Sequence, residues 1–211
     1  MGDITVQWFA PAFAQRLPLW TKVFGNGRTL RKPMRLEIET EQLRLIACDW
    51  ELLGQAIAGD AQLEKYLNVT VPKNWSQFGR RVLRYALEKL QADEASLGWW
   101  TYFPIHKADN VLIGSGGYQG RPNLDGAVEI GYEIRKEHRN RGLATELARG
   151  LINHAFAQAE VKLIRAYTLG VVNASTQVLT KCGLTKTSEL ADQENGQIWR
   201  WELQRANWSK R

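Results

Sequence analysis

A mixed α/β (α+β) domain with a mostly antiparallel sheet follows from three features of the 211-residue sequence. Apolar and charged residues alternate through "MRLEIETEQLRLIACD" (34–49), the period of one or two half-buried strands. Three further strand-like segments, 98–106, 110–120 and 126–134, follow one another through connections too short for a parallel crossover. Residues 142–159 then carry their apolar side chains on one half of a helical wheel, wide enough to lie on a sheet.

Each element has its own local reason. Residues 1–34 show no sustained period and read as an irregular extension, followed by a domain over 35–203 and a tail at 204–211. Asp49 and Asp60 predict caps for helices over 50–58 and 61–67. "VPKNW" (71–75) breaks the pattern before a longer amphipathic run from Ser76 to Gln91. Asp109-Asn110 and Pro122–Gly126 supply turns between the three strands, and Pro104 calls for a bulge or an edge position in the first of them. In the 142–159 helix His154 falls at the rim of the apolar arc, as a packed and hydrogen-bonded residue would. Residues 162–169 read as a strand. Asn173 predicts the cap of a short helix from Ala174 to Cys182 that Gly183 ends, and strands at Leu184–Leu190 and Gln197–Leu203 close through an Asn195-Gly196 hairpin.

With 44% hydrophobic residues the chain can build a sizeable core, and no repeat or linker divides it. Asp3, with a proline and an arginine inside the following apolar stretch, argues against a secretory signal. Val6 stands where a myristoylation signal wants serine or threonine, and no run reaches the ~18 apolar residues of a span, so the expected address is cytoplasmic with no membrane partner. Cys48 and Cys182 read as free buried thiols, and His106, His138 and His154 lack ligand spacing, so no metal is expected. The net charge of +6 and pI near 9.4 point to an anionic partner. The basic residues gather in one loop and no aromatic-basic strand motif accompanies them, so nucleic acid is not the expected one.

Two glycine-rich stretches invite a phosphate reading. "GSGGYQG" (114–120) does not support one: its third glycine comes one position late for a dinucleotide fingerprint, and a turn follows where a helix is needed. Gly116 and Gly117 better serve a strand bend or a close backbone approach. "HRNRGLATE" (138–146) differs, because it joins a strand to the start of the 142–159 helix. The first-turn N–H groups of a helix have no intrahelical acceptor, and the dipole adds partial positive charge. Arg139 and Arg141 are poorly placed beside an empty helix start and well placed beside a bound phosphate, which Gly142 and Ala144 leave room to approach.

Arg139-Asn140-Arg141-Gly142-Leu143-Ala144 resembles the [Gln/Arg]-x-x-Gly-x-[Gly/Ala] signature of the GCN5-related N-acetyltransferases (GNAT). "VEIGYEI" (128–134) resembles the strand before that signature. "NASTQVLTKCGL" (173–184) is similar to the late helix of the branch containing the ribosomal-protein N-terminal acetyltransferases. The likeness runs over roughly 35–203 and implies the GNAT fold, a central sheet of about six to seven strands flanked by helices. It implies acetyl-coenzyme A as cosubstrate, its pyrophosphate on Arg139, Asn140, Arg141, Gly142, Leu143, Ala144 and Thr145, its pantetheine arm along the backbone of Ile134 and Arg135, and Asn173 nearby. It also implies N-acetyl transfer to a primary amine, of a small molecule or a protein N-terminus, by direct attack. No metal enters that chemistry, and the chain is expected as a monomer or homodimer.

Glu129 occupies the position where many members carry a carboxylate base, and Gly131 keeps space open between Glu129 and Glu133. A strand glutamate in a solvated ion pair is the other reading of that residue. Where many members place a tyrosine acid, this chain has Leu179. In the branch resembled, Ser175 lies near the thioester sulfur and could donate to it; a role in helix capping beside Asn173 is equally open. The missing tyrosine keeps a second function in play, a coenzyme A-binding domain with little catalysis that serves as a nucleic-acid or protein interaction module. An α-amino group of pKa near ~8 is about a tenth neutral at pH 7, and a lysine near ~10.4 is ~400-fold less so, which leans towards N-terminal or small amines.

Overall fold

The computed structural model describes residues 35–208 and the backbone of residues 5–6. Trp8 and Trp20, and most of the extension before residue 35, lie outside the described residues. Strands β1 (Thr5–Val6), β2 (Glu37–Glu39) and β3 (Leu43–Ala47) come first, then helices α1 (Trp50–Ala58), α2 (Asp60–Leu67) and α3 (Gly79–Ala92). Strands β4 (Thr101–His106), β5 (Val111–Leu112), β6 (Gly114–Tyr118) and β7 (Ala127–Ile134) lead into helix α4 (Leu143–Phe156). Strand β8 (Leu163–Leu169), helix α5 (Ala174–Lys181) and strands β9 (Thr185–Asp192) and β10 (Gly196–Gln204) complete the domain.

The strands form one sheet in the order β2-β3-β4-β6-β7-β8-β10-β9, with β5 beside β4 and β1 beside β7. Every pairing between these strands is antiparallel except β7 with β8. The ten strands among the described residues exceed the expected six to seven because β1, β2 and β5 are only two or three residues long, too short to display a period of two. Helices α4 and α5 cover one face, where Leu147, Leu151, Ile152 and Ala155 pack with Val128, Ile130, Tyr132 and Ile134. The first three helices cover the other face at the β3–β4 end, through Leu52, Leu53, Leu83 and Leu90 against Ile46, Phe103 and Ile105. No described helix is long and apolar enough to cross a membrane.

The helix boundaries depart from the sequence reading where side chains claim the backbone. Asp49 caps α1 as expected, its carboxylate accepting from the Leu52 N–H at 2.7 Å. Asp60 does not cap α2; Gly59 holds that place and Asp60 lies in the first turn, accepting from Trp75 Nε1 at 3.2 Å. Helix α3 starts at Gly79 and not at Ser76, because Ser76, Gln77 and Phe78 all donate to the Glu133 carboxylate. Asn173 forms a full capping box with Thr176, and Gly183 follows α5 with φ +90°. Pro104 sits at an irregularity: β4 pairs with β6 through Thr101–Tyr102 and with β5 through Ile105–His106, leaving Pro104 between them. Trp208 docks the chain end, donating to Asn153 Oδ1 at 3.0 Å and packing on Phe156.

Candidate active site

The parallel pairing of β7 with β8 is short. β7 and β8 are in register only from Ala127–Glu129 to Leu163–Arg165, so the second half of β7 has no partner in β8. The Glu129 carbonyl and the Arg135 N–H both bond towards β6, to Gln119 and Ile113. By the alternation of a strand, Ile130, Tyr132 and Ile134 therefore turn their backbone groups to the β8 side, into the gap. Two residues of β1 lie along that edge, Val6 opposite Tyr132 and Thr5 opposite Glu133. The Ile134 carbonyl accepts from Arg139 Nε at 2.9 Å. Arg135 does not offer the backbone edge that the resemblance implied beside Ile134, because its N–H goes to Ile113 and its carbonyl accepts from the His138 N–H.

The gap points at the start of α4. Asn140 (φ +62°) and Gly142 (φ +79°) turn the chain sharply there, and a Cβ at Gly142 would meet nothing within 4 Å. No side chain caps α4, so the N–H groups of Leu143, Ala144 and Thr145, which have no intrahelical acceptor, are left for an outside one. Asn140 and Arg141 are exposed and Arg139 is half-buried. The nearest acid of the helix, Glu146, is turned away: its carboxylate accepts from Thr40 Oγ1 and from the Gln42 N–H, both at 2.6 Å. Two arginines, uncapped first-turn N–H groups and the open space at Gly142 thus meet in one place, an arrangement that suits an anion and makes a cradle for one.

Glu129 stands where β7 and β8 begin to part. Burial pushes its carboxyl up to about 7, against the opposing pull of the Arg165 guanidinium. Arg165 is itself held by Glu202, with Nε and Nη2 at 3.0 and 2.9 Å from Oε1. Glu133, two residues on and 1% exposed, has a different role. It accepts from Ser76 Oγ (2.6 Å), Ser115 Oγ (2.7 Å) and the N–H groups of Gln77 (2.6 Å) and Phe78 (3.1 Å). Burial raises this carboxyl as well, while those four bonds pull the other way, so Glu133 clamps the start of α3 to β7.

In α5, which touches both β1 and α4, Ser175 is fully buried and its Oγ has no hydrogen-bond partner among the described residues. Capping is therefore not its task, since Asn173 Oδ1 and Thr176 Oγ1 complete the box without it. Asn173, expected near the cosubstrate, has Oδ1 engaged in that cap. Tyr132 presents a second buried hydroxyl without a partner, a feature the sequence did not signal. Leu179 is a core residue. Trp99 and Tyr118 pack with Tyr102 around His154, whose Nδ1 lies 3.2 Å from the Tyr118 hydroxyl. A sequence search for ligand spacing also misses the gathering of His106, Asp109 and His138.

The acetyltransferase (GNAT) domain family matches residues 42–185, which contain the parted strands, the cradle and the Ser175 helix. The chain belongs to the GNAT acetyltransferase family. An uncharacterized N-acetyltransferase of Bacillus subtilis, YjdG, is 30% identical over 157 residues, covering 74% of this chain and 93% of its own. Among solved structures, RimL, a ribosomal L7/L12 alpha-N-protein acetyltransferase in complex with coenzyme A, superposes with a TM-score of 0.59 at 14% identity, over 80% of this chain and 98% of its own. The ribosomal-protein-S5-alanine acetyltransferase of Vibrio fischeri also scores 0.59 at 16% identity, over 82% and 99%. These structures share the fold, and membership of the GNAT acetyltransferase family makes this chain an acyl-coenzyme A-dependent acetyltransferase.

Proposed function

We propose that the chain acetylates a primary amine, with a peptide or protein N-terminus as the favoured acceptor, and that Glu129 removes the proton of that amine. The observation that carries this reading is the Glu129 carboxyl, raised to about 7 at the point where β7 and β8 part. An acid of that strength is largely ionised just above neutrality and still basic enough to take a proton. Transfer from an α-ammonium of pKa near ~8 is uphill by ~1.4 kcal/mol, whereas from a lysine near ~10.4 it is uphill by ~4.6 kcal/mol.

The cosubstrate fits the polar groups present. The cradle of Arg139, Asn140, Arg141, Gly142, Leu143, Ala144 and Thr145 would hold its pyrophosphate, and the edge offered by Ile130, Tyr132 and Ile134 would hold its amide-bearing arm as an added strand. The group supplies an acetyl thioester. As the amine nitrogen bonds to the acetyl carbon, the carbon–sulfur bond breaks, Glu129 takes the proton lost by nitrogen, and Ser175 Oγ donates to the departing sulfur. Ser175 suits that role because its hydroxyl is buried without a partner. β1 lies along the same Tyr132 edge, so the N-terminal strand and the arm compete for it.

The acceptor is tested by comparing kcat/KM for peptides with a free N-terminus, for the same peptides blocked at the N-terminus with one lysine, and for small primary amines. The α-amines should lead the lysine peptides by about 100-fold or more. Equal or faster turnover of lysine would overturn the acceptor assignment.

A further inference from the structure

His106, Asp109 and His138 come from two separate stretches of chain. His106 ends β4, Asp109 sits in the turn to β5, and His138 lies in a short 3-10 turn (Lys136–His138) just before the cradle. Pairing of β4 with β6 and of β6 with β7 brings them together. One ligand atom from each lies within 4.8 Å of the other two. Asp109 Oδ2 is 3.0 Å from His106 Nδ1 and 3.7 Å from His138 Nε2.

A His–Asp–His hydrogen-bond network would account for the first of these contacts and not for the second. The 3.7 Å separation is too long for a hydrogen bond between His138 Nε2 and Asp109, and His138 Nδ1 is buried with no partner. Ligand bonds of ~2.0–2.2 Å around a tetrahedral ion put neighbouring donors about 3.3–3.6 Å apart; the two separations from Asp109 bracket that value, and the two imidazoles lie within 4.8 Å of each other, so a small closing movement completes the set. Two imidazoles and one carboxylate suit zinc and its neighbours in the first transition row, and not magnesium or calcium, which want oxygen. Both histidine side chains are largely buried, at 11% and 8% exposure. The Asp109 side chain is 50% exposed, which leaves water access to the fourth position.

We infer that His106, Asp109 and His138 form a divalent transition-metal site of the zinc class that clasps the β4–β5 turn to the root of the cradle. The metal takes no part in acetyl transfer. Its effect is to hold His138, and through it the entry to Arg139, against the sheet. The positive charge of Arg135 and Arg141, close enough to act on His138, opposes a cation and keeps the affinity below that of an all-cysteine structural site.

The test uses the full chain freed of metal with a chelator. Cobalt(II) should bind at one equivalent, with the ligand-field absorbance of a four-coordinate nitrogen and oxygen site, and zinc should displace it and raise the Tm. Asp109→Asn, at an exposed position, and His138→Gln should each weaken cobalt and zinc binding by about tenfold or more. Circular dichroism and the acetyl-coenzyme A thermal shift show that each variant remains folded. Saturable binding of neither metal, or binding that survives unchanged in the folded Asp109→Asn protein, would overturn the site.

Discussion

Replacing Glu129 with glutamine separates a catalytic carboxylate from a structural one, because the two roles give opposite signs on stability. The carboxyl is raised from 4.5 to about 7, which means the fold binds its proton more tightly than the unfolded chain does. Below pH 4.5 the group is protonated in both states and costs nothing. As pH rises from 4.5 to about 7 the unfolded chain releases the proton first, so the native state progressively loses stability, and the full loss is present above 7. About 2.5 units at 1.36 kcal/mol each sets an upper figure of ~3.4 kcal/mol, of which ~2–3 kcal/mol is a realistic share. Glutamine keeps the shape without the charge, and Arg165 keeps Glu202 as its partner. The variant should therefore match the wild type near pH 4.5 and gain roughly 5–10 °C in Tm at pH 8, at about 2–4 °C per kcal/mol for a domain of this size. Its kcat/KM should fall by about 10²-fold or more and lose the wild-type rise with pH through 7. Paired melts and steady-state rates from pH 4.5 to 8.5 check both. A lower Tm at pH 8 with unchanged turnover would mean that Glu129 is a structural partner of Arg165 and would refute the reasoning.

Other changes act on separate parts of the site. Arg141→Glu removes a charge-assisted contact and adds repulsion, so acetyl-coenzyme A binding by calorimetry should weaken by about 10- to 100-fold. The Tm of the free protein should hold or rise slightly, since an acid suits a helix start. Ser175→Ala should lower kcat by about 10²-fold while stabilising the fold by ~1 kcal/mol, because the buried hydroxyl it removes has no partner. Denaturant titration with single-turnover rates reads both. Deleting residues 1–9 frees the Tyr132 edge and should tighten acetyl-coenzyme A binding by about fivefold; an unchanged Kd would show that β1 does not compete.

The parts of this site that were legible in the sequence are those built by contiguous residues. The cradle is one such part: Arg139 to Ala144 carry its charge, its turn and its open space within six positions. The alternation of "VEIGYEI" likewise put Glu129 and Glu133 on one face. It could not tell them apart, because their difference lies in what each meets: four donors from Ser76, Gln77, Phe78 and Ser115 for Glu133, and burial beside the Arg165 guanidinium for Glu129. Arg135 was misplaced on the free edge because strand parity depends on the pairing with β6, which the sequence does not display. The histidines looked scattered because 32 positions separate His106 from His138, and three strands bring them together.

The most direct test of the account is a crystal structure with coenzyme A bound. The pyrophosphate should lie within hydrogen-bond reach of the Leu143, Ala144 and Thr145 N–H groups, the pantetheine amides on the Tyr132 and Ile134 edge, and β1 should have left that edge. Coenzyme A bound elsewhere, with β1 still paired to Tyr132 and the start of α4 empty, would contradict it.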